Sequence, residues 1–235
     1  YAARFRGYFE QQQKEVLANL EKEGIPKGRH GSAPVVKSIE RWVNKILFDQ
    51  KQNDDLIVEM AGEMYRDNIE RGARAVASML GIDPSDVLAT PFVIDFVQEK
   101  SFIMLGVNKT TTDALKETLR EGVAQGEDLG QIRERITTVY DEAQDFRAET
   151  IARTEVGAAQ NYGRTAEMEN QKVEKKRWIA IFSNSRDAHM EAHNQVRGVN
   201  EPFDVGGERM MFPGDPAGSA ENVINCQCSV SPTLG

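Results

Sequence analysis

Four side chains in the last quarter of the sequence have the chemistry of metal ligands: His189, His193, Cys226 and Cys228. Imidazole nitrogen and thiolate sulfur suit a borderline-soft ion such as zinc, and a tetrahedral Cys2His2 site uses this inventory. The two histidines are four residues apart, so on a helix they share a face and reach one ion. Cys226-Gln227-Cys228 has a single residue between its thiols, against two to four in common structural zinc sites. On a regular strand that spacing still puts both thiols on one face. The competing reading is a pair of reduced cysteines and two surface histidines; a Cys-x-Cys disulfide is a third, and a strained one.

Other constellations are weaker. Asp187, His189 and Glu191 invite an acid–base reading, but no nucleophile or oxyanion-hole signature accompanies them, and a polar loop is the simpler account. Arg153-Thr154-Glu155 lies in a helical stretch, with Thr154 on the broad face of Ile151 and Ala158. This points to a buried hydroxyl, or to a polar network that docks the C-terminal segment, rather than to catalysis. Lys172, Lys175, Lys176 and Arg177 form a small basic cluster that could touch phosphate, although a solvated strand entry is the commoner meaning. Gly206-Gly207 and Pro213-Gly-Asp-Pro216 are turns; neither a phosphate loop nor a dinucleotide fingerprint is present.

The elements that must position these residues change character along the chain. Phe5, Tyr8, Phe9, Val16, Leu17 and Leu20 predict a helix over Ala2–Glu23, stopped by Gly24 and Pro26. Lys27–Pro34, with His30, reads as a polar linker. Helices are expected over Ile39–Phe48 and Asp54–Leu80. Thr90-Pro91 offers an N-cap before Phe92–Leu105, the most apolar helix and the one expected at the centre of the core. Thr110-Thr-Thr-Asp113 matches a capping box opening the next helix, which Gly126 ends. Ile132, Ile136 and Val139 mark a short helix. Asp145–Gln171 is long and rich in small residues, Gly157, Ala158, Ala159 and Gly163 among them, and so is expected to pack closely against a neighbour. From Lys175 the pattern turns to a strand and then to turn-rich sequence.

The chain has 235 residues, a net charge of −8 and only two cysteines. That is enough for one large or two small domains, disfavours a broadly basic nucleic-acid surface and gives no disulfide framework. No apolar run is long enough for a transmembrane helix. Tyr1-Ala-Ala-Arg-Phe-Arg opens inside an amphipathic pattern without Met, as expected of a segment that begins partway through a longer or processed polypeptide.

Taken in order, Lys176-Arg-Trp-Ile-Ala180, Ser185-Arg-Asp-Ala-His189, Phe203, Met211-Phe-Pro-Gly-Asp-Pro216 and Val223-Ile-Asn-Cys-Gln-Cys228 resemble the phage Mu F-like head morphogenesis family. Ile151-Ala-Arg-Thr-Glu155 with Ala159 and Asn161, the Thr110 element and the Glu121–Gly126 stretch are similar too, so the likeness covers about Val107 to Ser229. Two positions depart from it: Gln227 replaces a basic residue, which weakens any phosphate contact there, and His193-Asn194 stands where Asp-Gly is common, a turn Asn still permits.

The resemblance implies a minor head protein of a tailed phage or prophage, not an enzyme, made in the host cytoplasm. It would associate with the portal vertex inside the capsid and support head assembly, DNA packaging or ejection, and some members are fused to a portal protein. The implied partners are the portal and other head proteins, with weak contact to packaged DNA and none to membrane. The resemblance also implicates His189, Cys226 and Cys228 in metal binding; on the residue inventory, His193 or water would be the fourth zinc ligand. The expected fold is α+β: a helical domain over 1–106, then a small mixed α/β module over 107–235 whose sheet contains Trp178–Phe182 and a Cys226–Val230 strand. The alternatives are a zinc-stabilised nucleic-acid-binding module and a toxin-like enzyme or effector, the latter disfavoured by the few residues left after the module.

Overall fold

The computed structural model describes residues 1–26, 36–183 and 185–233. The linker expected at Lys27–Pro34, and His30 within it, lie outside the described residues. The fold is α+β. In chain order the elements are α1 (Ala2–Glu23), α2 (Val36–Ile46), α3 (Gln50–Leu80), α4 (Pro91–Ile103), α5 (Leu105–Gln125), α6 (Leu129–Glu142), α7 (Ala148–Asn170), β1 (Lys175–Ile179), α8 (Asp187–Glu191), β2 (Val196–Gly198), β3 (Phe203–Val205), β4 (Glu208–Met210), α9 (Ala220–Val223) and β5 (Ser229–Pro232).

By packing, the chain forms two units, each assembled from separated segments. One comprises Ala2–Glu59 and Phe102–Glu149; the other comprises Tyr1, Met60–Ser101 and Thr150–Gly235. This division by packing is a different partition from the division by sequence character at residue 106.

The first unit is helical. Phe5, Phe9, Val16 and Leu20 recur at four- and seven-residue intervals on one face of α1 and are fully buried. They pack with α2 and α6, where Val43, Ile46, Ile132, Ile136 and Tyr140 supply the facing side chains. The helix ends follow local rules. Gly24 and Gly126 take left-handed φ angles of 62° and 74° after α1 and α5. Asp128 and Gln131 form a capping box at the start of α6. The box expected at Thr110–Asp113 does not exist, because α5 already begins at Leu105. Thr110 and Thr111 sit inside it and donate their hydroxyls to the carbonyls of Gly106 and Val107, four residues back. Between α6 and α7 the backbone widens into a π turn over Ala143–Arg147.

The second unit carries the strands. β1 is central in a three-stranded antiparallel sheet ordered β2-β1-β5, and β3 pairs with β4 in a separate ribbon. Trp178, Phe203, Val205, Met210 and Val230 fill the space beside them, each fully buried. Here α3 and α7 approach at backbone distance. A methyl group on Gly163 would lie 2.0 Å from the Ile69 carbonyl oxygen, and one on Gly72 would lie 2.0 Å from that of Gln160. The small-residue stretch on α7 is therefore a tight helix–helix contact, as its composition suggests.

Three sequence expectations are corrected. Helix α4 is not central to the core: Phe92 is 41% exposed, Ile94 44% and Phe102 62%, while Val93, Phe96, Val97 and Lys100 form its buried stripe. A helix rich in apolar residues still buries only the stripe its neighbours cover. Thr90 does not cap α4 with its side chain; the hydroxyl donates back to the Val87 carbonyl at 2.6 Å. Finally, the sheet strands are Lys175–Ile179 and Ser229–Pro232, so Cys226 and Cys228 precede the last strand in irregular backbone.

Candidate metal centre

Helix α7 builds the platform for the C-terminal residues. Thr154, Gly157, Ala158 and Asn161 follow one another at helical spacing and form a single stripe. The Thr154 hydroxyl accepts the Asn225 N–H at 2.9 Å. A methyl on Gly157 would come within 3.3 Å of the Cys226 carbonyl, so glycine lets that backbone settle close to the helix. The Asn161 amide donates to the Pro213 and Cys228 carbonyls at 3.0 and 2.9 Å, and its oxygen accepts the Val230 N–H at 3.1 Å. A buried side-chain amide thus satisfies backbone groups of the Cys226–Val230 segment that its irregular start leaves unpaired. Asn225, at φ 58°, bends the chain between these anchors.

The Pro213–Pro216 turn is fixed on its other side. Asp215 accepts the Met211 and Ala217 N–H groups at 2.6 and 2.9 Å, and Gly214 adopts φ 86°. Lys176 is fully buried, donates to the Met211 carbonyl at 2.9 Å and lies 5.3 Å over the Phe203 ring. Burial lowers its pKa to about 8. Lys176 therefore belongs to the interior and not to a phosphate-facing cluster.

Pinned in this way, Cys226 and Cys228 meet His189, which α8 supplies. His189 Nδ1 is 3.3 Å from Cys228 Sγ and 3.6 Å from Cys226 Sγ. The three donor atoms lie within 4.8 Å of one another. All three residues are buried, at 1%, 7% and 4% exposure for His189, Cys226 and Cys228. The sulfurs are unequal: Cys226 donates to Cys228, which lowers the Cys228 pKa against the effect of burial, and His189 lowers it further. The same contact, together with burial, raises that of Cys226.

The donor set fits zinc. Bonds of about 2.3 Å to sulfur and 2.0–2.1 Å to nitrogen in a tetrahedron place neighbouring donors about 3.5 Å apart. The two nitrogen–sulfur distances of 3.3 and 3.6 Å straddle that value. His189 Nε2 is buried with no hydrogen-bond partner among the described residues, and the ring stands edge-on to Trp178 at 5.6 Å. The Nδ1 side alone therefore faces polar atoms.

Of the four residues expected to converge, three do. His193 does not: α8 ends at Glu191, so helical spacing no longer applies two residues later. Its Nδ1 accepts the Ala180 N–H at 3.1 Å and its ring meets Phe182 at 4.6 Å. Asn194 beyond it takes φ 65°, the turn conformation foreseen for this position. Sequence reasoning overlooked Ser185, whose Oγ is 3.8 Å from Cys228 Sγ. The signal available was its four-residue spacing to His189 across the start of α8.

Comparison with known proteins places residues 113–231, just over half of the chain, in the family described as phage Mu protein F like protein. A further similarity, 27% identity over 218 residues, is to the uncharacterized protein YqbB of Bacillus subtilis (strain 168); it covers 86% of this chain and 68% of that protein. No solved structure matches.

Proposed function

The chain belongs to the phage Mu protein F-like family, and from that premise we propose that it is a structural minor head protein of a tailed phage or prophage, associated with the portal vertex inside the capsid. Its work there is binding: it supports head assembly, DNA packaging or ejection through contacts with portal and other head proteins. The observation that carries the reading is the location of the family's segment and the burial of its polar centre. His189, Cys226 and Cys228 are closed off from solvent, an arrangement that suits a structural clasp and leaves a substrate no access to the reactive atoms. Zinc held by these three residues would join the α8 segment to the segment before β5, with no turnover. The net charge of −8 favours weak, transient contact with packaged DNA over tight wrapping. Among the described residues no helix is long and apolar enough to cross a membrane.

Quantitative mass spectrometry of purified particles tests the functional reading. The chain should copurify with DNA-filled heads at far fewer copies than the major capsid subunit, and should crosslink to the portal. Its absence from both procapsids and filled heads would refute the assignment.

A further inference from the structure

We propose that Ser185 Oγ is the fourth donor of the His189, Cys226 and Cys228 centre, so that two chain segments contribute two ligands each. The inference rests on the metal reading above and adds a ligand to it. Ser185 and His189 flank the start of α8, four residues apart; Cys226 and Cys228 come from the segment that α7 pins. Ser185 Oγ lies 3.8 Å from Cys228 Sγ. In a tetrahedral zinc site, oxygen and sulfur donors stand about 3.5 Å apart, so this distance is a fitting edge of the same tetrahedron.

The hydrogen-bonding of the hydroxyl supports this role. Ser185 Oγ donates its single proton to the Ile181 carbonyl at 2.7 Å. What remains to face the sulfur is a lone pair, not an O–H donor. Two electron-rich atoms facing each other at this distance need something positive between them, either the Cys228 proton or a cation bound by both. His189 Nδ1 and Cys226 Sγ gather with Cys228 Sγ within 4.8 Å of one another, so a cation there would be shared by further donors, and the cation is the better fit. The vertex is free of its sequence-level candidate, since the Nδ1 of His193 is occupied by the Ala180 N–H. A hydroxyl that keeps its proton is a weaker donor than imidazole or thiolate, so the Ser185 bond would be the weakest of the four and a thiolate in its place should tighten the site.

Cobalt(II) is the probe, because its visible bands report tetrahedral geometry and its sulfur-to-metal charge-transfer intensity scales with the number of thiolates. The whole chain and its Ser185→Cys and Ser185→Ala variants are titrated with cobalt and then competed with zinc. The wild-type chain should give a tetrahedral, two-thiolate spectrum. Ser185→Cys should raise the charge-transfer intensity about 1.5-fold, three thiolates against two, and bind zinc more tightly. Ser185→Ala should keep the wild-type intensity and lose about 10-fold or more in zinc affinity. A folded Ser185→Cys chain with wild-type intensity overturns the proposal. If that variant does not fold, wild-type zinc affinity in Ser185→Ala overturns it instead. A wild-type chain that gives no tetrahedral cobalt spectrum removes the metal reading itself, and the Ser185 assignment with it.

Discussion

Lys176 shows how a residue read as surface charge becomes an interior strut. Its neighbours in sequence, Lys175 and Arg177, alternate with it in direction along β1, so one residue of the basic run must face inward. The inward position is fully buried and its ammonium is held by the Met211 carbonyl. Because the folded pKa is lowered to about 8, the unfolded chain binds more protons than the folded chain between pH 8 and the ordinary lysine range. The penalty for burying this charge is therefore present at neutral pH and relieved as pH rises. Replacing Lys176 with Met should cost little at pH 7, on the order of 1 kcal/mol or less in either direction, since a lost hydrogen bond offsets a removed buried charge. At pH 9.5 the wild type should be more stable relative to the variant than at pH 7, by roughly 1–2 kcal/mol in urea unfolding. A difference that stays flat with pH would contradict this account of Lys176. The cluster of His189, Cys226 and Cys228 was legible for the opposite reason: cysteine and histidine announce their chemistry wherever they fall. His193 was misread because the helix that would have given meaning to its spacing ends too soon. Asn161 was legible only as part of a family likeness, since nothing in its type distinguishes an amide that satisfies three backbone groups from one in solvent.

At the scale of elements, helix existence was readable and helix environment was not. The apolar period fixes α1, α3 and α7 almost to their ends, because burying a stripe requires that period whatever the partner. Which stripe is covered depends on neighbours distant in sequence, and this is why α4, despite its many apolar residues, leaves Phe92, Ile94 and Phe102 exposed. The threonines at 110–112 misled for a related reason: a capping box and a mid-helix threonine bonded to the preceding turn share one local sequence. Glycine within α7 carried better information. Gly163→Ala or Gly72→Ala would drive a methyl into an opposing carbonyl oxygen at 2.0 Å. Each should destabilise the chain by about 3 kcal/mol or more, or prevent folding. Gly7→Ala in α1 and Gly106→Ala in α5 meet nothing within 4 Å. These should instead stabilise, by about 0.5–1 kcal/mol. Thermal unfolding of the four variants checks the contrast. Equal effects at all four sites would mean that α3 and α7 do not meet at backbone distance.

For the whole molecule, the sequence likeness and the packing divide the chain differently. The family segment starts at residue 113, within α5, whereas the packing units change at Glu59–Met60, Ser101–Phe102 and Glu149–Thr150. Periodicity cannot reveal such interleaving, because α3 and α7 each read as a single uninterrupted element. The strand-bearing unit has only short strands and a turn-rich stretch after Lys175. Its order rests on the buried polar contacts of Thr154, Asn161, Lys176 and Asp215, and on the centre they position. Metal analysis of the purified chain, combined with thermal unfolding with and without a strong chelator, tests whether that centre binds an ion. The expected result is about one zinc per chain, and a Tm that falls by about 5 °C or more once the metal is removed. A metal-free chain purified under zinc-replete conditions, with the same Tm in chelator, would contradict it and leave packing alone to hold the C-terminal segment.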